Sequence, residues 1–135
     1  MKGDLARKFL RAAEQRLTAA DLLWNEGFSL ESMYLAGYGV ECSSKALILR
    51  QTTGARRPSV LEEICHGTKG HDLEWLKQLL LRKGMIPPSD VVRGFRRVVG
   101  WSTDLRYEVG RVKADEAASF LDAAKLIYSW AERSM

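Results

Sequence analysis

The sequence predicts an all-α fold, a single-domain antiparallel bundle of four to five helices over residues 1–135. Three observations carry that expectation. β-branched residues are sparse and never alternate with polar ones over a strand's length. Apolar residues recur instead at three-and-four spacing through most of the chain. Only Pro58, Pro87 and Pro88 interrupt, while Gly27, Gly54, Gly84 and Gly110 each follow an amphipathic stretch, where a left-handed C-cap is expected.

The first helix is expected from Asp4 to Asn25, with Leu5, Phe9, Ala13, Leu17, Ala20 and Trp24 on its buried face. The second starts at Ser29, read as its N-cap, and runs to about Thr53. It is apolar nearly all round, so it belongs at the centre. Small residues along it, including Ala36, Gly37, Gly39, Ser43 and Ser44, let neighbouring helices approach closely despite the helix-propensity cost of two glycines. Gln51 to Gly70 reads as a long loop with at most a short turn at Val60 to Ile64. The third helix begins near Asp72 and stops before Gly84. Ser89 caps the fourth, whose stripe Val91, Phe95, Val98 and Trp101 allows it to continue past Gly100 to Leu105. Asp115 caps the fifth, which ends at Arg133 near the favourable end of the helix dipole.

Composition narrows the function classes. At 135 residues the chain can bury roughly two thirds of its unfolded surface, so a self-sufficient core is expected. Apolar residues make up 46% and charged residues 28%, and no apolar run is long enough to cross a bilayer, which excludes integral membrane, collagen-like and disordered classes. The first sixteen residues alternate charge with hydrophobicity too tightly for a secretory signal, which points to the cytoplasm and to reduced thiols at Cys42 and Cys65. The net charge of +4 permits a polyanionic partner without demanding one.

Nucleotide-loop, nucleophile-elbow and zinc-protease motifs are absent. Glu62, Glu63, Cys65, His66, His71 and Asp72 crowd together but fit no standard zinc spacing, so neither a metal nor any other cofactor is expected. Glu41 is more informative. Its angular position falls within the Leu30, Tyr34, Tyr38, Ile48 stripe of the most buried helix, where a carboxylate needs a cation or donors. Lys45, one turn on, is a local partner and Arg106 a distant one. The pair is either a structural tie in the core or part of a functional site.

A second constellation surrounds Arg106. Trp101, Asp104, Tyr107 and Glu108 flank a guanidinium whose planar fork can clamp Glu41 or a phosphate, while Tyr107 or Trp101 could stack on a base. From Arg93 to Lys113 six basic side chains, Arg93, Arg96, Arg97, Arg106, Arg111 and Lys113, face two acidic ones, a local excess as large as the whole chain's. The plainer reading of that run is a solvated helix face.

The stretch from Ala13 to Leu49, with Glu41, Lys45, Ala46 and Leu47 at its heart, is followed by the Gly70-His71-Asp72-Leu73 marker, by the segment from Trp101 to Val109, and by an Ala-rich last helix. This order resembles the HEPN family, the nucleotide-binding domain of higher eukaryotes and prokaryotes, over nearly the whole chain. The resemblance implies a bundle of four or five helices that often dimerises, with a polar site near the joint of the second and fourth helices. It also implies a small nucleotidyltransferase as partner in toxin–antitoxin pairs, and in one subgroup a metal-independent ribonuclease built on an arginine, four to six residues, then a histidine. Arg106 matches that arginine, and Glu41 resembles the polar residue that often faces it. Positions 111 to 113 are Arg111, Val112 and Lys113, so the histidine is absent, and with it the tyrosine that follows it in toxins modified by their partner.

Cleavage through a ribose hydroxyl wants a group that titrates near neutrality, which unperturbed Arg and Lys do not supply. The first expectation is therefore a nucleotide- or RNA-binding module without ribonuclease activity. It would be a homodimer or a nucleotidyltransferase partner, away from membranes, and would use Glu41, Lys45, Arg97, Trp101, Arg106, Tyr107 and Arg111. A divergent ribonuclease toxin with Arg106 and Glu41 catalytic is the second reading, and a plain protein-interaction scaffold the third.

Overall fold

The computed structural model describes residues 4–135; Met1–Gly3 and the side chains of Asp4, Thr68 and Arg106 lie outside the description. Among the described residues there are six α-helices and no strand. They are α1 (Asp4–Asn25), α2 (Ser29–Arg50), α3 (Arg57–Cys65), α4 (Leu73–Arg82), α5 (Ser89–Val98) and α6 (Ala114–Arg133). Short 3-10 turns occupy Gly54–Arg56, Thr68–His71 and Thr103–Tyr107. The all-α bundle expected from the periodicity is the fold observed.

The extra helix, α3, lies inside the expected loop. Pro58 sits in its first turn, where a missing N–H costs nothing, and Val60 and Ile64, four residues apart, bury one face. Nine residues carry too little periodic signal to announce themselves. Several ends also differ from expectation. Ser29 and Ser89 are first helical residues, with Phe28 and Pro88 at the cap positions and no side-chain cap bond at either. Asp115 lies inside α6, its Oδ1 accepting from the next backbone N–H at 3.1 Å. Asp72 does cap α4, its Oδ1 accepting from Trp75 N–H at 3.1 Å.

α2 stops at Arg50 rather than Thr53, and the Thr52 hydroxyl donates to Ile48 carbonyl at 2.6 Å. Gly27, Gly84 and Gly110 take the left-handed conformation expected of them, whereas Gly54 opens a 3-10 turn. α5 ends at Val98, not Leu105, because the chain turns at Gly100 and drives the Trp101 ring inward.

α2 is central. Its partners are α1, α4 and α6, while α6 also packs on α1 and α5. From Ala36 to Leu49 every residue of α2 is buried except Tyr38 and Cys42, which are half-buried. α1 returns antiparallel through the short turn Glu26–Phe28, and Leu17 fills the space that a Cβ at Gly39 would need, 2.8 Å from it. Gly37 has a similar task on another face: the Trp101 indole lies where its Cβ would be. The two small residues thus set how closely α1 and the segment after α5 approach the central helix.

Candidate functional site

Glu41 and Lys45 share one face of α2 because they are one turn apart, and packing around that face leaves them 5% and 4% exposed. The Lys45 ammonium donates to Glu41 Oε2 at 2.9 Å. Glu41 Oε1 is 2.8 Å from His71 Nδ1. A carboxylate only accepts, so the imidazole donates from Nδ1. The His71 side chain is 46% exposed, which makes it the outlet of an otherwise buried cluster.

His71 reaches this position through its neighbours. It ends the 3-10 turn Thr68–His71 immediately before the Asp72 cap, so the start of α4 fixes its backbone. Gly70 before it presses against the Ile64 carbonyl oxygen, which a Cβ would strike, and would set that Cβ 3.6 Å from Lys45 Nζ. Only glycine lets α3 and this turn close over α2 together.

Aromatic rings wall the outlet. Tyr38 stands edge-on to His71, with ring centroids 6.2 Å apart, and edge-on to Trp101 at 5.0 Å. Tyr34 packs against Tyr38 at 5.2 Å, and the Trp101 indole N–H donates to Tyr34 carbonyl at 3.2 Å. Beyond them a cleft of about 390 Å³ is lined by His71, Asp72, Trp101, Ser102, Thr103 and Asp104. Ser102 Oγ accepts from Asp104 N–H at 3.1 Å and so caps the 3-10 turn Thr103–Tyr107, whose backbone carries Arg106.

The other residues expected at the site distribute unevenly. The Arg106 side chain lies outside the described residues, and the partners seen on Glu41 are Lys45 and His71. Trp101 is a core residue, 6% exposed, with an edge on the cleft. Arg97 is exposed on α5 and borders a second cleft of about 260 Å³ that Trp101 also lines, with Met33, Leu105, Glu116 and Phe120. Tyr107 is largely exposed. Arg111 lies elsewhere, beside the α1–α2 turn with Gly27 and Phe28.

His71 is the residue that sequence reasoning passed over. The signal was a histidine between a glycine and a helix-capping aspartate, at the entrance of the helix that packs on α2.

Two thiols lie near this cluster. Burial, and then the Glu41 carboxylate, push the Cys42 thiol up to about 11, and burial raises that of exposed Cys65. Among the described residues no three His, Cys, Asp or Glu side chains converge as a metal-ligand set; Glu62 and His66 form an exposed pair along α3 at 3.4 Å.

An all-α bundle whose innermost helix carries a charged cluster reaching the surface through one imidazole defines a small helical domain with a polar centre. The chain belongs to the HEPN family: the HEPN domain matches residues 6–134. Comparison with curated proteins and with solved structures returned no match.

Proposed function

We propose that this HEPN domain is a nucleotide- or RNA-binding module that acts as a homodimer or beside a small nucleotidyltransferase. The observation that carries the reading is the buried Glu41–Lys45 pair, which opens through His71 onto a cleft bounded by the turn that holds Arg106. A buried charged cluster costs stability unless it is fully paired, and one exposed imidazole is a costly outlet for a cluster that only ties helices. The arginines of α5 supply the complementary attraction. Arg93, Arg96 and Arg97 are exposed, and none is in an ion pair among the described residues. Glu41 and Lys45 anchor the site, Arg97 and Arg106 meet phosphate, and Tyr107 and the Trp101 edge offer ring surface.

Fluorescence anisotropy with a short single-stranded RNA tests this. Binding weakens steeply as salt is raised, and Arg97→Ala with Arg106→Ala lowers affinity by about tenfold through the loss of two phosphate contacts. Unchanged affinity in the double variant would remove the reading. The partner is tested by co-expression with a nucleotidyltransferase from the adjacent reading frame, where the two proteins should co-elute.

One observation favours a second reading, a divergent ribonuclease. The Nε2 of His71 has no partner among the described residues and His71 lines the cleft, so an imidazole, a side chain suited to proton transfer, stands beside the Arg106 turn after all. Growth arrest on expression, relieved by Arg106→Ala or Glu41→Ala, together with RNA cleavage by the purified protein, would select it over binding alone.

A further inference from the structure

We propose that the cleft between the start of α2 and the segment Gly110–Val112 captures a carboxylate, the C-terminal end of a partner polypeptide whose last side chain is apolar. The cleft has a volume of about 340 Å³ and shares no lining residue with those beside His71 and Arg97. It is a second site, independent of the nucleic-acid reading.

The first turn of α2 lacks a side-chain cap. Phe28 occupies the cap position and brings no oxygen, so the backbone N–H groups of Ser29, Leu30 and Glu31 have no partner among the described residues, while Ser32 N–H returns to Phe28 carbonyl at 2.9 Å. The aligned peptides of this long helix place about half a positive elementary charge at those donors. Both walls are held in place. Phe28 N–H donates to Leu23 carbonyl at 2.8 Å, and the Trp24 indole ties Ala114, just beyond Val112, back to the end of α1. Water alone can serve a free helix end, so the deciding residue is Ser29. It is over nine-tenths buried, and its hydroxyl has no hydrogen bond among the described residues. The fully enclosed side-chain oxygen without a partner is Ser44 Oγ, so Ser29 Oγ stays open, and the space that Ser29 lines is this cleft. A ligand oxygen there would satisfy a donor that is otherwise left unpaired.

Charge and shape select the ligand. Arg111 is exposed in the facing wall and is in no ion pair among the described residues, so its fork is free for a carboxylate. Glu31 lines the cleft as well and offsets much of that charge. What remains balances the single charge of a carboxylate far better than the near-double charge of a phosphate monoester. Phe28, 52% exposed, gives the same cleft an apolar side together with Leu30 and Val112. Anion donors beside an apolar shelf suit a chain terminus, whose carboxylate and last side chain leave the same α-carbon.

Amide NMR of the isotope-labelled protein tests the proposal by titration with four ligands: an acetylated short peptide ending in Ala-Val, its C-terminal amide, acetate and inorganic phosphate. The free-carboxyl peptide should move the Ser29, Leu30 and Glu31 amides at millimolar concentration, and its amide should bind about tenfold more weakly, the worth of the charge-assisted hydrogen bonds. Acetate and phosphate should both bind more weakly than the peptide. Ser29→Ala and Arg111→Gln should each weaken the free-carboxyl peptide by about three- to tenfold and leave the amidated one unaffected. Absence of shifts at these amides, or equal shifts from the peptide and its amide, overturns the proposal. Phosphate binding as tightly as the peptide replaces the carboxylate with a phosphate site, and acetate doing so removes the chain terminus; either result overturns the proposal too. The comparison of the four ligands uses the wild-type protein, so it stands even if a variant folds poorly.

Discussion

At the scale of single residues, Glu41 is the group on which most depends. It is a buried carboxylate with a buried ammonium on one oxygen and an imidazole on the other. Removing one member of such a pair leaves an uncompensated charge, so Glu41→Gln should cost about 3–5 kcal/mol in a denaturant titration. Lys45→Met should cost less, because the His71 imidazole still donates to the Glu41 carboxylate. The double variant should be more stable than the two single losses combined would suggest.

Cys42 offers a pH test of the same neighbourhood. Its thiol is raised from 9.0 to about 11 in the fold, so below 9 both states hold the proton and stability is level. As pH rises through that window the unfolded chain releases a proton the folded chain retains, and stability is lost. The fall should be on the order of 1–2 kcal/mol more in the wild type than in Cys42→Ala, measured by chemical unfolding between pH 8 and about 11. Of this cluster, Glu41 and Lys45 were legible in the sequence, because both sit at fixed angles on a helix whose burial the pattern reveals. His71 was not, since its contact with Glu41 crosses thirty positions and depends on how a short turn lands.

At the scale of elements, two close approaches position the site. Trp101 enters the groove over Gly37, and the Thr68–His71 turn settles through Gly70 onto the Ile64 carbonyl. Gly37→Ala forces the indole out of its place and should destabilise the fold by about 1–3 kcal/mol, with a red shift of tryptophan emission as the ring gains water. Gly70→Ala pushes the turn off the Ile64 carbonyl and should weaken nucleotide binding more than it weakens folding, because it displaces His71. The major helices were readable from their three-and-four spacing, and α1 ends where expected. α3 was not, and neither was the true end of α5. A nine-residue helix gives too short a pattern, and a stripe ending in Trp101 does not reveal that the last member reaches the core from a loop.

At the scale of the whole molecule, charge and shape act together. Arg97 of α5 and the cleft beside His71 both adjoin Trp101, so a ligand that touches both spans the segment linking α5 to the Thr103–Tyr107 turn. Light scattering after size exclusion checks the proposed assembly: a mass of two chains is expected for the homodimer, shifting to a one-to-one pair when the nucleotidyltransferase is supplied.

The long-range ties between α1 and α6 have a consequence for how the protein comes to be. Lys125 bonds Asp21 at 2.6 Å, Tyr128 donates to Glu14 at 2.9 Å and the Trp24 indole donates to Ala114 carbonyl at 2.8 Å. α6 also covers α2, so the inner helix keeps an apolar flank open until the ribosome has released nearly everything that precedes and includes α6. Newly made chains therefore pass through a stage in which that flank is sticky, and conditions that slow elongation there should favour clumping over native closure.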